Sequence, residues 1–423
     1  MSKFFVIKNN MISKPKGTLD FLPDDAYKRR HIENKLREIA TLFNYKEIRT
    51  PTFEKTELFR RGIGEETDIV SKEMYSFHEN EFTLKPEMTA PVIRSYIENS
   101  LYNVSPVTKL YYIANMYRHE RPQAGRYREF SQFGAEVIGS GDYAADVELI
   151  SLGVFFLKNF GLNNLKIKIN NIGSLEERAV YIKDLKDYLL KHLVDLSVDS
   201  WHRLEKNPLR ILDSKNPNDI KIVENAPNIN EYLGTENRKH FEDVLNGLKS
   251  LNIEYEVDYK LVRGLDYYTS TTFEIVSDSL GAQNAVLGGG RYDKLIEQLD
   301  GKPTPAIGFA CGLERLALVL EANNYVYPEE DCPHLYIVTS GEEARKKALV
   351  ISHKLRENGI YCEIDLLNRS IKSQMKEANK YKAKYVAVVG ENEITTNEVK
   401  IKRMNDGSES GINLDEIINY NFN

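Results

Sequence analysis

The sequence predicts a mixed α/β body, interrupted by a helical insertion and followed by a separate small α/β domain. Three observations carry this reading. Short β-type runs alternate with helical stretches from residue 44 to about 170 and resume after residue 258. From about 174 to 257 the texture changes to charged, amphipathic helical sequence with Lys and Asn. Beyond Tyr327-Pro328-Glu329-Glu330-Asp331, which reads as a linker, strand and helix patterns alternate regularly. The expected divisions are 1–173 and 258–325 for the two parts of the body, 174–257 for the insertion and 331–423 for the last domain.

Each element has a local cause. After the lead-in Gly17 to Pro23, the apolar residues Ile32, Leu36, Ile39, Ala40 and Phe43 fall on one helical face, and Asp24 and Asp25 suit the first turn. Lys109 to Ile113 and Phe130 to Val137 read as strands, and Asp142 to Leu157 as a helix. Asn207-Pro208 and Asn216-Pro217 break the insertion. The run Thr269 to Val276 is β-type; the glycine cluster Gly288-Gly289-Gly290 and an apolar helix, Leu313 to Leu320, follow it. The last domain reads strand (Leu335 to Thr339), helix (Glu342 to Glu357, stopped by Gly359), strand (Tyr361 to Leu366), helix (Ser370 to Lys380), strand (Tyr385 to Val389). That alternation implies parallel βαβ pairing.

Composition narrows the class. A chain of 423 residues is too long for one ordinary core, which suggests two or three domains. Charged residues make up 28%, mean hydropathy is −0.46, and no apolar run suits a membrane span. The opening apolar patch is broken by Lys8, Asn9 and Asn10, unlike a secretory signal, so a cytoplasmic protein is expected. Cys311, Cys332 and Cys362 lie too far apart for a zinc knuckle, and buried or inert thiols are expected. A net charge of −6 argues against coating nucleic acid through the overall field, so any RNA contact must be local.

The familiar phosphate loops are absent from the sequence, and His119-Glu120 lacks the second His of a zinc-protease motif. ATP, if bound, needs another device. Between Arg118 and Arg128 lie four arginines, with Pro122 and Gly125 marking a turn between two β-type runs. A hairpin could aim these planar forks at a polyphosphate, or the segment is a solvated basic loop. Arg263-Gly264-Leu265-Asp266-Tyr267-Tyr268 combines a cation, a glycine turn and two pocket-forming phenols; alone it also suits a strand start with core tyrosines. Gly288 to Asp293, followed by Pro305 to Leu316, supplies glycines for close backbone approach and Arg315 in an otherwise apolar helix, which a pure packing role explains poorly.

Together and in this order, these segments resemble the motifs of class II aminoacyl-tRNA synthetases. Ile48 to Phe59 resembles the dimer-forming motif 1, Arg118 to Glu136 motif 2 and Ala306 to Leu316 motif 3. Leu84 to Thr89 and Arg263 to Tyr268 are similar to signatures of the histidyl-tRNA synthetases, and the similarity runs from about residue 15 to the C-terminus. Lys85, where the family usually has Arg, and Asn368, where Gly is common, depart from the pattern.

The resemblance implies an α+β catalytic domain on an antiparallel sheet, with the helical insertion and a C-terminal α/β anticodon-binding domain. It implies that Arg118 holds the α-phosphate, Glu120 the adenine edge, Phe130 the adenine face, and Arg126 with Arg315 the γ-phosphate, while Gly308 and Gly312 shape the nucleotide floor. Glu87, Thr89 and Gln132 would hold the amino-acid backbone, and Glu136 with Tyr268, beside Tyr267, would read the imidazole. Arg263 and Arg118 would be the catalytic cations, flanking the α-phosphate. Choosing histidine requires paired polar groups at both ring nitrogens, because leaving them unpaired is what rejects other ligands. Arg121 and Gln123 would meet tRNA, as would Arg369, Lys372 and Lys376 on a basic stripe that Lys380 extends; alone, such a stripe is usually a solvated face.

The implied partners are L-histidine, ATP, Mg2+, tRNA(His) and a second copy in a homodimer; no metal ligands are assigned and no membrane contact is expected. A non-catalytic regulatory subunit of ATP phosphoribosyltransferase is the competing reading. Such paralogues tend to lack the C-terminal domain and several of the arginines, and this chain has both. A synthetase for another amino acid, or an RNA-binding module on the same scaffold, is disfavoured by the Arg263 to Tyr268 stretch.

Overall fold

The computed structural model describes residues 12–65, 67–277 and 285–422, so the amino-terminal apolar patch lies outside the described residues. The chain divides into two compact units after Tyr327. In the first, an eight-stranded sheet runs in the order Lys46–Glu47, Thr108–Tyr117, Glu129–Ile138, Ala306–Gly312, Ala285–Arg291, Thr269–Ser277, Leu165–Asn171, Glu256–Val257. The two short outer strands pair parallel and the six between them antiparallel. Motif-1 residues form the strand Phe53–Lys55, which joins Phe82–Leu84 and Tyr75–Phe77 in a small second sheet, and the helix Thr56–Ile63.

Strand alternation gives the large sheet two different faces. Phe133, Ala135 and Val137, with Ile307, Phe309, Cys311, Phe273 and Ile275, turn into the main core. Helices cover that face: Pro23–Leu42 buries Ile32, Leu36, Ile39 and Ala40, Tyr143–Asn159 buries Leu149, Ile150, Leu152 and Phe156, and Leu313–Ala322 buries Leu313, Leu316, Val319 and Leu320. The opposite face carries Phe130, Gln132, Gly134 and Glu136 and is roofed by a second cluster containing Tyr112, Tyr267, Tyr268 and Tyr292. The cluster Gly288 to Gly290 is strand interior, so these glycines matter for close approach across the sheet.

The segment expected as a helical insertion includes the helices Leu175–Leu190, Val198–Lys206, Leu209–Leu212, Pro217–Val223 and Thr235–Ser250, of which the last buries Phe241, Val244 and Leu248 in the main core. Ser174 and Glu177 form a capping box at the first, and Pro217 opens the fourth behind an Asn216 cap. Buried Asp219 ties three turns together, accepting from the hydroxyls of Ser197, Ser200 and Ser214.

The second unit forms a five-stranded sheet in the order Cys362–Ile364, Leu335–Thr339, Tyr385–Val389, Glu398–Arg403, Glu409–Asn413. The first three strands are parallel, as the alternation of elements predicts, but the last two are antiparallel, so the sheet is mixed. In Glu398–Arg403 only Val399 and Ile401 turn inward, and the charged residues between them hide the strand in the sequence. The thiols of Cys311 and Cys362 are buried and unpaired, and burial lifts that of Cys362 to about 12.

One buried ion pair anchors the site strand. Arg291 is 1% exposed and gives Nε and Nη2 to Asp146 of helix Tyr143–Asn159, with Nη2 to Oδ2 at 2.5 Å, and it also donates to the carbonyls of Ser140 and Asp142 at 3.0 Å. Removing one partner strands a charge in a dry place, so Asp146→Ala should cost roughly 3–5 kcal/mol. Denaturant unfolding measures it. The paired replacement Asp146→Leu with Arg291→Met should recover most of the loss; a single mutant as stable as the parent would contradict the role of the pair.

Candidate active site

The floor of the site is two rows of residues in which glycines stand beside large polar side chains. Register places Leu110, Glu136, Gly308, Gly290 and Thr272 side by side across five strands, and Tyr112, Gly134, Ala310, Gly288 and Glu274 in the parallel row two residues along. Each glycine makes room for a neighbour. A Cβ on Gly308 would stand 1.5 Å from Glu136 Oε2, one on Gly134 2.2 Å from the Tyr112 hydroxyl, and one on Gly288 2.4 Å from Arg263 Nη2.

Glu136 is fully buried in this floor. The Thr89 hydroxyl donates to its Oε1 at 2.9 Å and the Tyr292 hydroxyl to its Oε2 at 2.5 Å, and Tyr112 also reaches it. Burial lifts the carboxyl to about 8, against the lowering influence of the Tyr292 and Thr89 hydroxyls, and the nearby Glu87 carboxylate adds to the rise. Glu87 opens the helix Thr89–Glu98: its two oxygens accept the backbone N–H groups of Thr89 at 2.8 Å and Ala90 at 2.9 Å. Burial raises Glu87 too, opposed by those N–H groups.

Two arginines border this carboxyl-rich end. Arg263 lies across Gly288 and is ion-paired with Glu274, in contact with Tyr268. Arg118, just past the hairpin strand, donates from Nε to the Pro86 carbonyl at 2.8 Å, with its guanidinium 5.2 Å from the centre of the Phe130 ring. Further along the hairpin, Arg126 lies 3.6 Å from Glu120. Gly125, at φ 71, makes the turn and lies against the side chain of Arg315, whose Nη1 donates to the Ala285 carbonyl at 2.9 Å. Gln132 turns toward the same face, its Oε1 buried without a hydrogen-bond partner among the described residues.

The structure thus brings together Glu87, Thr89, Glu136, Tyr267, Tyr268 and Arg263 at one end, and Arg118, Phe130, Glu120, Arg126 and Arg315 along the hairpin. Gly312, beside Arg315, lies at the hairpin end. Gly308 does not: expected at the nucleotide floor, it sits against Glu136 because that carboxyl fills the space of its missing side chain. Arg121 and Gln123 are exposed on the hairpin turn. In the second unit Lys372 and Lys376 are exposed on Ile371–Lys380, and Arg369, expected to meet tRNA beside them, is ion-paired with Asp365 at 2.5 Å and Glu377 at 3.0 Å. That guanidinium braces the loop to its helix.

Tyr292, Tyr112 and Glu274 belong to the site without a signal of their own in the sequence. Tyr292 follows Gly-Gly-Gly-Arg directly, but only strand pairing shows that its hydroxyl meets a carboxyl 156 residues away in the chain.

A six-stranded antiparallel platform carrying a basic hairpin, a glycine floor and an arginine on the adjoining helix defines the catalytic fold of a class II aminoacyl-tRNA synthetase. Comparison with known proteins gives the family. Residues 17–316 match the histidyl-tRNA synthetase family and residues 334–421 an anticodon-binding domain. The chain is 48% identical to the histidine–tRNA ligase of Caldanaerobacter subterraneus, over 96% of this chain and 99% of that one. The crystal structure of apo S. aureus histidyl-tRNA synthetase matches with a TM-score of 0.82 at 38% identity, covering 98% of this chain and all of that one. A Bacillus halodurans structure described as an ATP phosphoribosyltransferase regulatory subunit/histidyl-tRNA synthetase matches with a TM-score of 0.64 at 25% identity, over 90% and 98% of the two chains. The chain belongs to the histidyl-tRNA synthetase family.

Burial of Glu136 has a measurable pH signature. Its carboxyl titrates near 8 when folded, against an ordinary value of 4.5, so the stabilisation it contributes is complete below about pH 4.5 and lost as pH rises through 8. Glu136→Gln cannot titrate. The unfolding free energy of the parent relative to Glu136→Gln should therefore fall between those pH values; parallel pH profiles would contradict the raised value.

Proposed function

We propose that this chain activates L-histidine with ATP, forming histidyl-adenylate and pyrophosphate, and passes the acyl group to the 3′ end of tRNA(His). The observation that carries this reading is the buried Glu136 carboxyl, held by Thr89 and Tyr292 against Gly308. A carboxyl titrating near 8 is matched to a free imidazole, whose ordinary value is about 6.5. It keeps a proton when the pocket is empty and can share one with an entering ring. Tyr268 serves the second ring nitrogen, and Glu87, Thr89 and Gln132 hold the amino-acid backbone.

The chemical step brings a carboxylate to an anionic phosphate. Arg118 and Arg263, on opposite sides, offset that repulsion and stabilise the charge that grows on the phosphoryl oxygens. Both guanidiniums are already oriented, Arg118 by the Pro86 carbonyl and Arg263 by Glu274, so little reorganisation accompanies the transition state. Phe130 and Glu120 take the adenine, Arg126 and Arg315 the γ-phosphate.

Among the described residues no three His, Cys, Asp or Glu side chains cluster as a metal-ligand set, so a cage built by the protein does not fit. Mg2+ enters as part of the nucleotide substrate, held by phosphate oxygens and water. Residues 331–423 with Lys372 and Lys376 meet the anticodon arm, Arg121 and Gln123 the acceptor end, and the enzyme works as a cytoplasmic homodimer. No helix of the described residues is long and apolar enough to cross a membrane.

Amino-acid-dependent ATP–pyrophosphate exchange tests the reading: histidine alone should support it. Gly308→Ala, which displaces the Glu136 carboxyl, should raise the histidine KM at least about tenfold with much less effect on the ATP KM. Exchange with none of the twenty amino acids would favour the regulatory-subunit reading.

A further inference from the structure

The loop carrying Arg263 and Tyr268 has little structure of its own. Residues 258–268 form no helix or strand between Glu256–Val257 and Thr269–Ser277. Its shape is set by what grips it. The body supplies Asn170, donating to the Leu261 carbonyl at 3.0 Å, and the Ile63 carbonyl, which accepts from the Asp266 N–H at 3.1 Å.

Three further grips come from the helical insertion. Arg178, in the first turns of Leu175–Leu190, is buried, and its Nη1 donates to the Tyr268 carbonyl at 2.7 Å. Asn207, at the break between two insertion helices, donates from Nδ2 to Asp266 Oδ1 at 3.0 Å. Arg210 covers Gly264, with Nη1 3.2 Å from where a Cβ would stand. These contacts reach the loop at three successive places.

Arg178 is the informative one. Burial disfavours its charge, opposed by Asp266, and a long cation inside a protein is a costly way to fill space. What it achieves is directional. A charged donor on a backbone carbonyl fixes the peptide that follows Tyr268, and thereby the direction in which the phenol leaves the chain.

We propose that the helical insertion is a positioning element of the amino-acid pocket, and that Arg178 is its principal positioning residue, acting through the Tyr268 carbonyl on Tyr268 and, through the same loop, on Arg263. The inference rests on the roles proposed above for those two residues. It gives the insertion a part in the activation step, in which no tRNA takes part.

The test uses the full chain and ATP–pyrophosphate exchange, with histidine and ATP varied separately. Arg178→Met should raise the histidine KM about tenfold or more while the ATP KM changes less than about twofold, since a lost charged hydrogen bond is worth at least that factor. Arg178→Lys, which keeps a donor, should recover part of the loss. Asn207→Ala removes a side chain that is not buried, and should show the same separation on a smaller scale, about threefold. It decides the matter if Arg178→Met does not fold. Unchanged histidine KM values, or losses for both substrates that follow the melting temperature, would overturn the proposal and leave Arg178 a packing residue. A parent enzyme without histidine-dependent exchange would instead fail the proposed function, so the two failures are distinguishable.

Discussion

A carboxyl group can lie flat against a sheet only where the adjacent strand has no side chain, and the first unit is organised around that constraint. Glu136 occupies the volume that a Cβ on Gly308 would need, Tyr112 the volume above Gly134, and Arg263 the volume above Gly288. A protein interior is packed too densely for such groups to fit over ordinary residues. The glycines therefore act less through backbone freedom than through emptiness. They turn one face of an otherwise apolar sheet into a polar floor, while the other face, filled by Phe133, Phe273 and Phe309, keeps the sheet in place.

An empty floor needs rigid edges. Arg291 and Asp146 supply one, joining the end of the glycine strand to the helix behind it, and Tyr292, the next residue, then points its hydroxyl at Glu136. Glu314 supplies another. It accepts the Ser131 N–H through both oxygens and pairs with Arg29 at 2.9 Å, locking the start of the helix Leu313–Ala322 to the hairpin strand and to the first helix. Arg291, Asp146 and Glu314 are buried and Arg29 half-buried, and removing a partner would leave a buried charge stranded. That arrangement favours a single geometry over maximal stability.

Electrostatically, the site separates its tasks along the sheet. Buried carboxyls gather at one end, where Glu87 raises the proton affinity of Glu136, and arginines line the hairpin, where Arg126 lowers that of Arg315. Burial contributes the largest part of each of these shifts. In the function proposed above, the amino acid meets the carboxyl end and the polyphosphate the arginine end. Arg118 is held by the Pro86 carbonyl and Arg263 by Glu274, so in the proposed step their orientation adds little cost.

Much of this was legible from the chain alone, for local reasons. Apolar spacing in Ile32, Leu36, Ile39 and Ala40 sets a helix face, Pro122 and Gly125 set a turn, and the alternation from Leu335 to Val389 sets parallel pairing, because each depends on residues within a few positions. Motif order was equally readable, and it named the arginines, Glu136 and Tyr268. The antiparallel strands Glu398–Arg403 and Glu409–Asn413 were not, since polar and charged residues between the few inward-facing ones hide the strand pattern. Nor were the partnerships that make the site: Tyr292 with Glu136, Arg263 with Glu274 over Gly288, Arg178 with the Tyr268 carbonyl. Those contacts follow from strand register and from the docking of the insertion. A sequence states which groups are available, but only the folded sheet decides which of them share a row, because a shift of one residue would turn every side chain to the other face.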